Sequence, residues 1–276
     1  MNGRTTPAPA TNRIPPIYCL GDSHVCLFSG QDAIQPGWPT RSEDLLPFFV
    51  TCHLGGVLAY NLPRSGTSSR GRENLFAALQ KTVPAGSTVL LSFGEIDCRA
   101  HALKQAAKRN VPLETVVAEC LDNYFQVVRE VQALGFAVIV YNAVPSAIPR
   151  PRKTTREDDY IAVGTLCERN AAIREFNAGA KRRCAECGAK FLETAPAFVT
   201  TDGKAVSWYY FDAIHLSQRA LPVTLRALAA LFPKRNYPQL PVPAPSVAQR
   251  LLDGVAKKTR RWLKLKPPRR ATRLPG

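Results

Sequence analysis

Apolar residues fall into two kinds of run along this chain. Ile17 to Leu20, Val89 to Phe93 and Ala137 to Tyr141 are short, continuous and rich in branched side chains, the pattern of strands buried on both faces. A run ending at His53 and another around Lys190 to Glu193 extend the series. Between them, apolar residues recur every three or four positions, predicting helices over Glu73 to Lys81, Leu113 to Ala133, Tyr160 to Ala180 and Ser217 to Leu231, with Gly135 stopping the second. Strands alternating with helices predict an α/β fold: a three-layer α/β/α sandwich around a central, mostly parallel, five-stranded sheet.

Sheets of this kind bind ligands beyond the carboxyl ends of their strands, so the polar residues that follow each apolar run are the ones to weigh. Gly21-Asp22-Ser23-His24 follows the first run. Its serine, at a helix start with free N–H groups beside it, suits a nucleophile, although Asp22 or Ser23 can equally be a cap. Asp212-Ala213-Ile214-His215 lies just before the last helix. A spacing of three lets the carboxylate reach the imidazole, hold Nδ1–H and leave Nε2 to accept a proton.

Ser92 to His101 replaces an apolar run with a burst of titratable groups, Glu95, Asp97, Arg99 and His101. They read as a pocket wall, with Arg99 suited to an anionic substrate, or as a loop cluster in which Asp97 and Arg99 satisfy each other. His53 reads either as a structural histidine or as pocket lining.

A chain of 276 residues, 45% hydrophobic and 21% charged, holds one α/β domain with tails and excludes wholesale disorder, collagen and coiled coil. Stretches such as Phe136 to Tyr141 are far shorter than the roughly 20 residues of a membrane span. Met1 to Pro16 has no apolar block of the signal-peptide kind, which gives a cytoplasmic expectation. Eight scattered cysteines read as mostly buried thiols. Cys184-Ala185-Glu186-Cys187 lacks the second pair that a zinc site needs and reads as a pair at a helix end, so no metal is expected.

The net charge of +16 is uneven: from Lys234 onward, twelve basic residues face the single acid Asp253. The organisation expected is a disordered segment over 1–13, a domain over 14–232, a proline-rich linker over 233–245 and a basic tail over 246–276. The tail interleaves Arg250, Lys257, Lys258 and Arg261 with Leu251, Leu252, Val255 and Trp262. It reads as a solvated tail or a helix packed on the domain, or as a contact for an anionic membrane surface; no motif supports nucleic acid. The charged loop Arg150 to Asp159 is a solvated loop or a lid.

Taken in order, Gly-Asp-Ser after the first strand, a glycine-bearing loop after the second, a Gly-x-x-Asp loop after the third and a late Asp-x-x-His resemble the SGNH (GDSL-type) hydrolase superfamily over about Ile14 to Phe232. The resemblance implies a flavodoxin-like sheet, with Ser23 as nucleophile, His215 as base and Asp212 as its orienting partner. It implies oxyanion donors at Ser23 and, from Asn61-Leu62-Pro63-Arg64-Ser65-Gly66-Thr67, at Gly66. The family pattern Gly-x-Asn-Asp is Gly94-Glu95-Ile96-Asp97 here, so isoleucine stands where an oxyanion donor is expected. The Gly-Glu-Ile-Asp-Cys-Arg block resembles that of a poorly characterised bacterial branch.

The activity expected is serine-dependent hydrolysis or transfer of an acyl group on a small-molecule or glycan ester, such as deacetylation or O-acylation, without a cofactor. Asp22, His24, Asn61, Glu95, Asp97, Arg99, His101 and Asn142 are the expected substrate contacts. The alternatives are a binding module with a degenerate oxyanion hole, or a membrane or polyanion adaptor acting through the tail.

Overall fold

The computed structural model describes residues 14–147 and 162–241. Its centre is β1 (Ile17–Gly21), flanked by β2 (Phe49–His53) and β3 (Thr88–Ser92), with β4 (Ala137–Tyr141) and β5 (Lys190–Leu192) continuing outward beyond β3. The order is β2-β1-β3-β4-β5, and all four pairings are parallel. Successive strand residues point to opposite faces. Leu20, Val89, Leu91, Val138 and Val140 pack with α2 (Gly71–Thr82), α4 (Leu113–Ala133) and α5 (Leu166–Cys187). Ile17, Cys19, Leu90, Ile139 and Tyr141 pack on the other side with α1 (Cys26–Ser29) and α6 (Leu221–Leu231). The three layers expected from the alternation are present.

The chain winds one way from β1 to β2 and the other way from β1 through β3, which opens a crevice at the carboxyl end of β1, the usual ligand position in such sheets. Gly21 closes β1 there for a steric reason. A Cβ on it would stand 2.1 Å from the carbonyl oxygen of Ser92, the same oxygen that accepts the Asp22 N–H at 3.1 Å. Gly21→Ala should therefore force β1 and β3 apart and cost about 2 kcal/mol or more. Urea denaturation checks this, and an unchanged midpoint would show that the two strand ends can separate freely.

Two elements differ from the periodicity. The helix expected over Tyr160 to Ala180 runs from Leu166 to Cys187. Its start is set by a reciprocal cap, with the Thr165 hydroxyl accepting from the Glu168 N–H and the Glu168 carboxylate accepting from the Thr165 N–H; its end is set by Gly188 at φ 74°. After β3, a wide turn over Asp97–His101 runs into α3 (Ala102–Arg109), a helix that the burst of charges conceals from a hydrophobicity pattern. Cys184 and Cys187 lie at the end of α5 with their thiols directed to the carbonyls of Lys190 and Cys184.

Packing also continues past Phe232, where the domain was expected to end. Tyr237 is buried against Phe48, with ring centroids 5.9 Å apart, and Arg235 donates to the Thr88 hydroxyl at 3.0 Å. The first part of the expected 233–245 linker is thus held on the domain. The expected N-terminal segment 1–13, the charged loop Arg150 to Asp159 and the basic tail over 246–276 lie outside the described residues. Among the described residues, no helix is long and apolar enough to cross a membrane.

Candidate active site

Ser23 begins a single turn, Ser23–Val25, immediately after β1. Asp22 caps that turn: its Oδ1 accepts the His24 N–H at 3.0 Å. Of the two roles open to the Gly-Asp-Ser block, Asp22 takes the cap and leaves the Ser23 hydroxyl unencumbered. That hydroxyl lies 2.7 Å from Nε2 of His215, 192 residues away.

His215 is delivered by a tight loop that bridges Tyr210 to Leu216. Within it, Asp212 Oδ1 accepts the N–H groups of Ile214 and His215 at 2.7 and 2.6 Å, folding the chain back so that Oδ2 meets His215 Nδ1 at 2.7 Å. A carboxylate only accepts, so Nδ1 carries the proton and Nε2 faces Ser23 with its lone pair. Burial would raise the Asp212 pKa, but the His215 side-chain and backbone hydrogen bonds and the Ile214 N–H outweigh it and hold the carboxyl at about 2. The loop is anchored to the segment after α1: Gln218 donates its N–H to Asp32 at 2.6 Å and its side-chain amide to the carbonyls of Leu27 and Gln31. The Phe211 ring stacks on His215 at 5.6 Å, a support that no motif predicts.

Behind Ser23 lies a buried ionic cluster. His24 Nε2 stands 3.2 Å from Glu95 Oε2, an ionic contact more than an aligned hydrogen bond, and Arg99 Nε donates to both Glu95 oxygens at 2.8 and 3.0 Å. The charges here are set by competition. Burial opposes ionisation of Glu95, yet Arg99 and His24 bring its pKa down to about 2. Burial likewise disfavours protonated His24, and the Asp22 and Glu95 carboxyls more than offset it, raising its pKa. For Asp22 burial wins: its Oδ2 has no hydrogen-bond partner and its pKa rises to about 6. The His24 ring centroid is 5.0 Å from that of His215, so this cluster backs directly onto the Ser23–His215 pair.

Several expected contacts lie elsewhere or are already occupied. Arg99 pairs with Glu95, not with Asp97, because four residues of helical chain bring Glu95 beneath it. Asp97 is buried and accepts the N–H groups of Ala59 and Tyr60 at 2.8 and 3.0 Å and the Cys120 thiol at 3.3 Å, so it holds the loop after β2 instead of lining a pocket. That loop carries Asn61, half-buried on the turn Ala59–Asn61. His101 packs on the Tyr60 ring at 4.6 Å. Asn142 is a buried staple whose amide oxygen accepts the N–H groups of Thr194 and Ala195, which ties β4 to the chain after β5.

Gly66 does not fit the oxyanion role. It is exposed, and its N–H already donates to Glu73 Oε1 at 2.6 Å in the turn leading to α2. The glycines directly beyond β2 are Gly55 and Gly56. Leu54, just before them, donates its N–H to the Gly21 carbonyl at 2.8 Å, and Gly55 has φ 87°. These two glycines stand within three residues of the β2 end, closer to it along the chain than the Asn61 to Gly66 block. Ile96 is buried and offers no polar group.

No family model and no curated protein matches the chain. Solved structures do. One from Streptococcus pneumonia, provisionally described as a platelet activating factor, matches with a TM-score of 0.50 at 18% identity, covering 80% of this chain and 86% of that one. A catalytic mutant of an acetylxylan esterase from Geobacillus stearothermophilus matches with a TM-score of 0.49 at 15% identity, covering 82% and 96%. A GDSL-like lipase from Bacteroides thetaiotaomicron matches with a TM-score of 0.47 at 12% identity, covering 82% and 92%. At such identities the likeness is one of fold: a five-stranded parallel sheet with helices on both sides.

Proposed function

We propose that this protein is a serine ester hydrolase of the SGNH type, with Ser23 as nucleophile, His215 as base and Asp212 as the group that fixes its tautomer. The observation that carries the reading is the chain of two 2.7 Å contacts from Ser23 Oγ through His215 to Asp212, made by residues from opposite ends of the domain. Ser23 Oγ attacks the ester carbonyl as its proton passes to His215 Nε2. The tetrahedral intermediate collapses, His215 returns that proton to the departing alcohol oxygen, and the acyl group stays on Ser23. A water, or a second alcohol, then attacks the acyl-enzyme with the same assistance, releasing an acid or a new ester. Deacetylation and O-acyl transfer on a glycan or small ester are the two forms of this chemistry.

The negative oxygen requires donors, and the N–H of Ser23 and that of Gly55 are the two assigned to it, in place of Gly66. Asp22, His24, Glu95 and Arg99 act from behind, fixing the Ser23 turn. A fluorophosphonate probe tests the reading: mass spectrometry should find the label on Ser23 of the folded protein and nothing in Ser23→Ala. Ile96 favours a second reading, a binding module without turnover, because an apolar side chain stands where the superfamily pattern has a donor. Folded protein that fails to label would select it.

A further inference from the structure

We propose that His53 is a substrate-binding residue, whose Nε2 accepts a hydrogen bond from a free hydroxyl on the alcohol portion of the ester. The inference rests on the serine-hydrolase reading and narrows it: the substrate class becomes partial esters of polyols or sugars, with an unesterified hydroxyl close to the scissile bond.

Three observations place and define this group. First, His53 is the last residue of β2 and pairs in register with Gly21, the last residue of β1, two positions before Ser23. Second, Phe49 and His53 are an even number of positions apart in β2 and so point to one face of the sheet; Phe49 packs there with α1 and α6. That is the face onto which the Asp212–His215 loop leads, since Leu216 and α6 follow it into the same core. His53 therefore stands at the crevice edge, on the side from which His215 reaches Ser23. Third, His53 Nδ1 lies 2.8 Å from the Gln35 carbonyl oxygen. A carbonyl can only accept, so Nδ1 carries the ring proton and neutral His53 presents Nε2 as a bare acceptor. Burial keeps the ring in that neutral form by lowering its pKa, against the opposing effect of the Gln35 carbonyl.

A fixed acceptor at the mouth of an ester-cleaving site calls for a donor on the substrate. A simple acyl group has none, and neither does a plain alkyl alcohol; a second hydroxyl on the alcohol side does. The Gln35 contact also holds the imidazole in orientation, which an incidental surface histidine would lack.

The test is a ratio within each variant, so overall losses of rate cancel. Specificity constants are measured for glycerol monoacetate and for propyl acetate, which has the same chain without the hydroxyls. Wild type should favour the hydroxylated ester, and His53→Phe should lower that preference about fivefold, the value of one hydrogen bond to a neutral group. His53→Gln, which keeps an acceptor oxygen, should retain part of it. An identical ratio in wild type, His53→Phe and His53→Gln would overturn the assignment. Wild-type protein with neither turnover nor Ser23 labelling would instead remove the hydrolase reading, and this inference with it; Ser23 labelling together with a flat ratio removes the inference alone.

Discussion

His215→Ala should lower ester hydrolysis by at least about 10³-fold, with Ser23→Ala lower still. The reason is geometric. His215 is the only group among the described residues seen to hydrogen-bond the Ser23 hydroxyl, and without it an alcohol with an ordinary pKa must attack as such. Asp212→Asn separates two contributions. An amide can still accept the Ile214 and His215 N–H groups and preserve the loop, but its NH₂ facing Nδ1 favours the tautomer that turns an N–H toward Ser23. We expect a loss on the order of 10²- to 10⁴-fold, with thermal stability little changed. Asp212 is partly exposed, and solvent access places the effect toward the lower end. Initial rates on aryl acetates, with circular dichroism to confirm folding, decide the matter; retained activity in His215→Ala would end the proposed mechanism.

Glu95→Gln is expected to be the most destabilising single change near the site, costing about 3 to 5 kcal/mol. It removes the buried negative charge that both His24 and Arg99 contact. The pH dependence gives the sign. Held at about 2 in the fold against an ordinary value of 4.5, Glu95 contributes stability that is complete above about pH 4.5 and disappears as the pH falls toward 2. Asp22 acts in the opposite sense: with its pKa raised from 3.8 to about 6, it favours the fold at low pH and loses that contribution as the pH rises through 6. Urea midpoints between pH 3 and pH 8 should therefore lose their acid-side fall in Glu95→Gln, while Asp22→Asn flattens the decline between pH 4 and 6. A Glu95→Gln midpoint within error of wild type at pH 7 would show that the ionic cluster contributes nothing net.

Parts of the site differ in how far they can be read from the chain. The Asp212–His215 partnership is legible because it closes over three residues, a distance at which backbone geometry alone brings the groups together. The Ser23 turn is legible because it follows an apolar run and a glycine. Glu95 and Arg99 were visible as polar residues after a strand, but their partners were not. Asp97 next door looked equally available, and only the arrival of the Ala59 and Tyr60 amides shows that it is consumed by the backbone. Gly66 shows the same limit: a motif read along the chain does not tell which glycine amide is already spent on a neighbouring carboxylate.

By itself, the sequence determined the alternation of strand and helix, the strand ends where polar residues gather, and the three-residue spacing that puts Asp212 beside His215. All of these are local, set by periodicity, branched side chains and turn-forming residues within a few positions. Tertiary structure alone decided that β1 lies between β2 and β3, that Ser23 and His215 meet across 192 residues, that His24 and Arg99 share Glu95, and that His53 stands in register with Gly21. Those outcomes depend on which strands pair and in what register, a choice made by the burial of two whole faces of the sheet and not by any short stretch of chain.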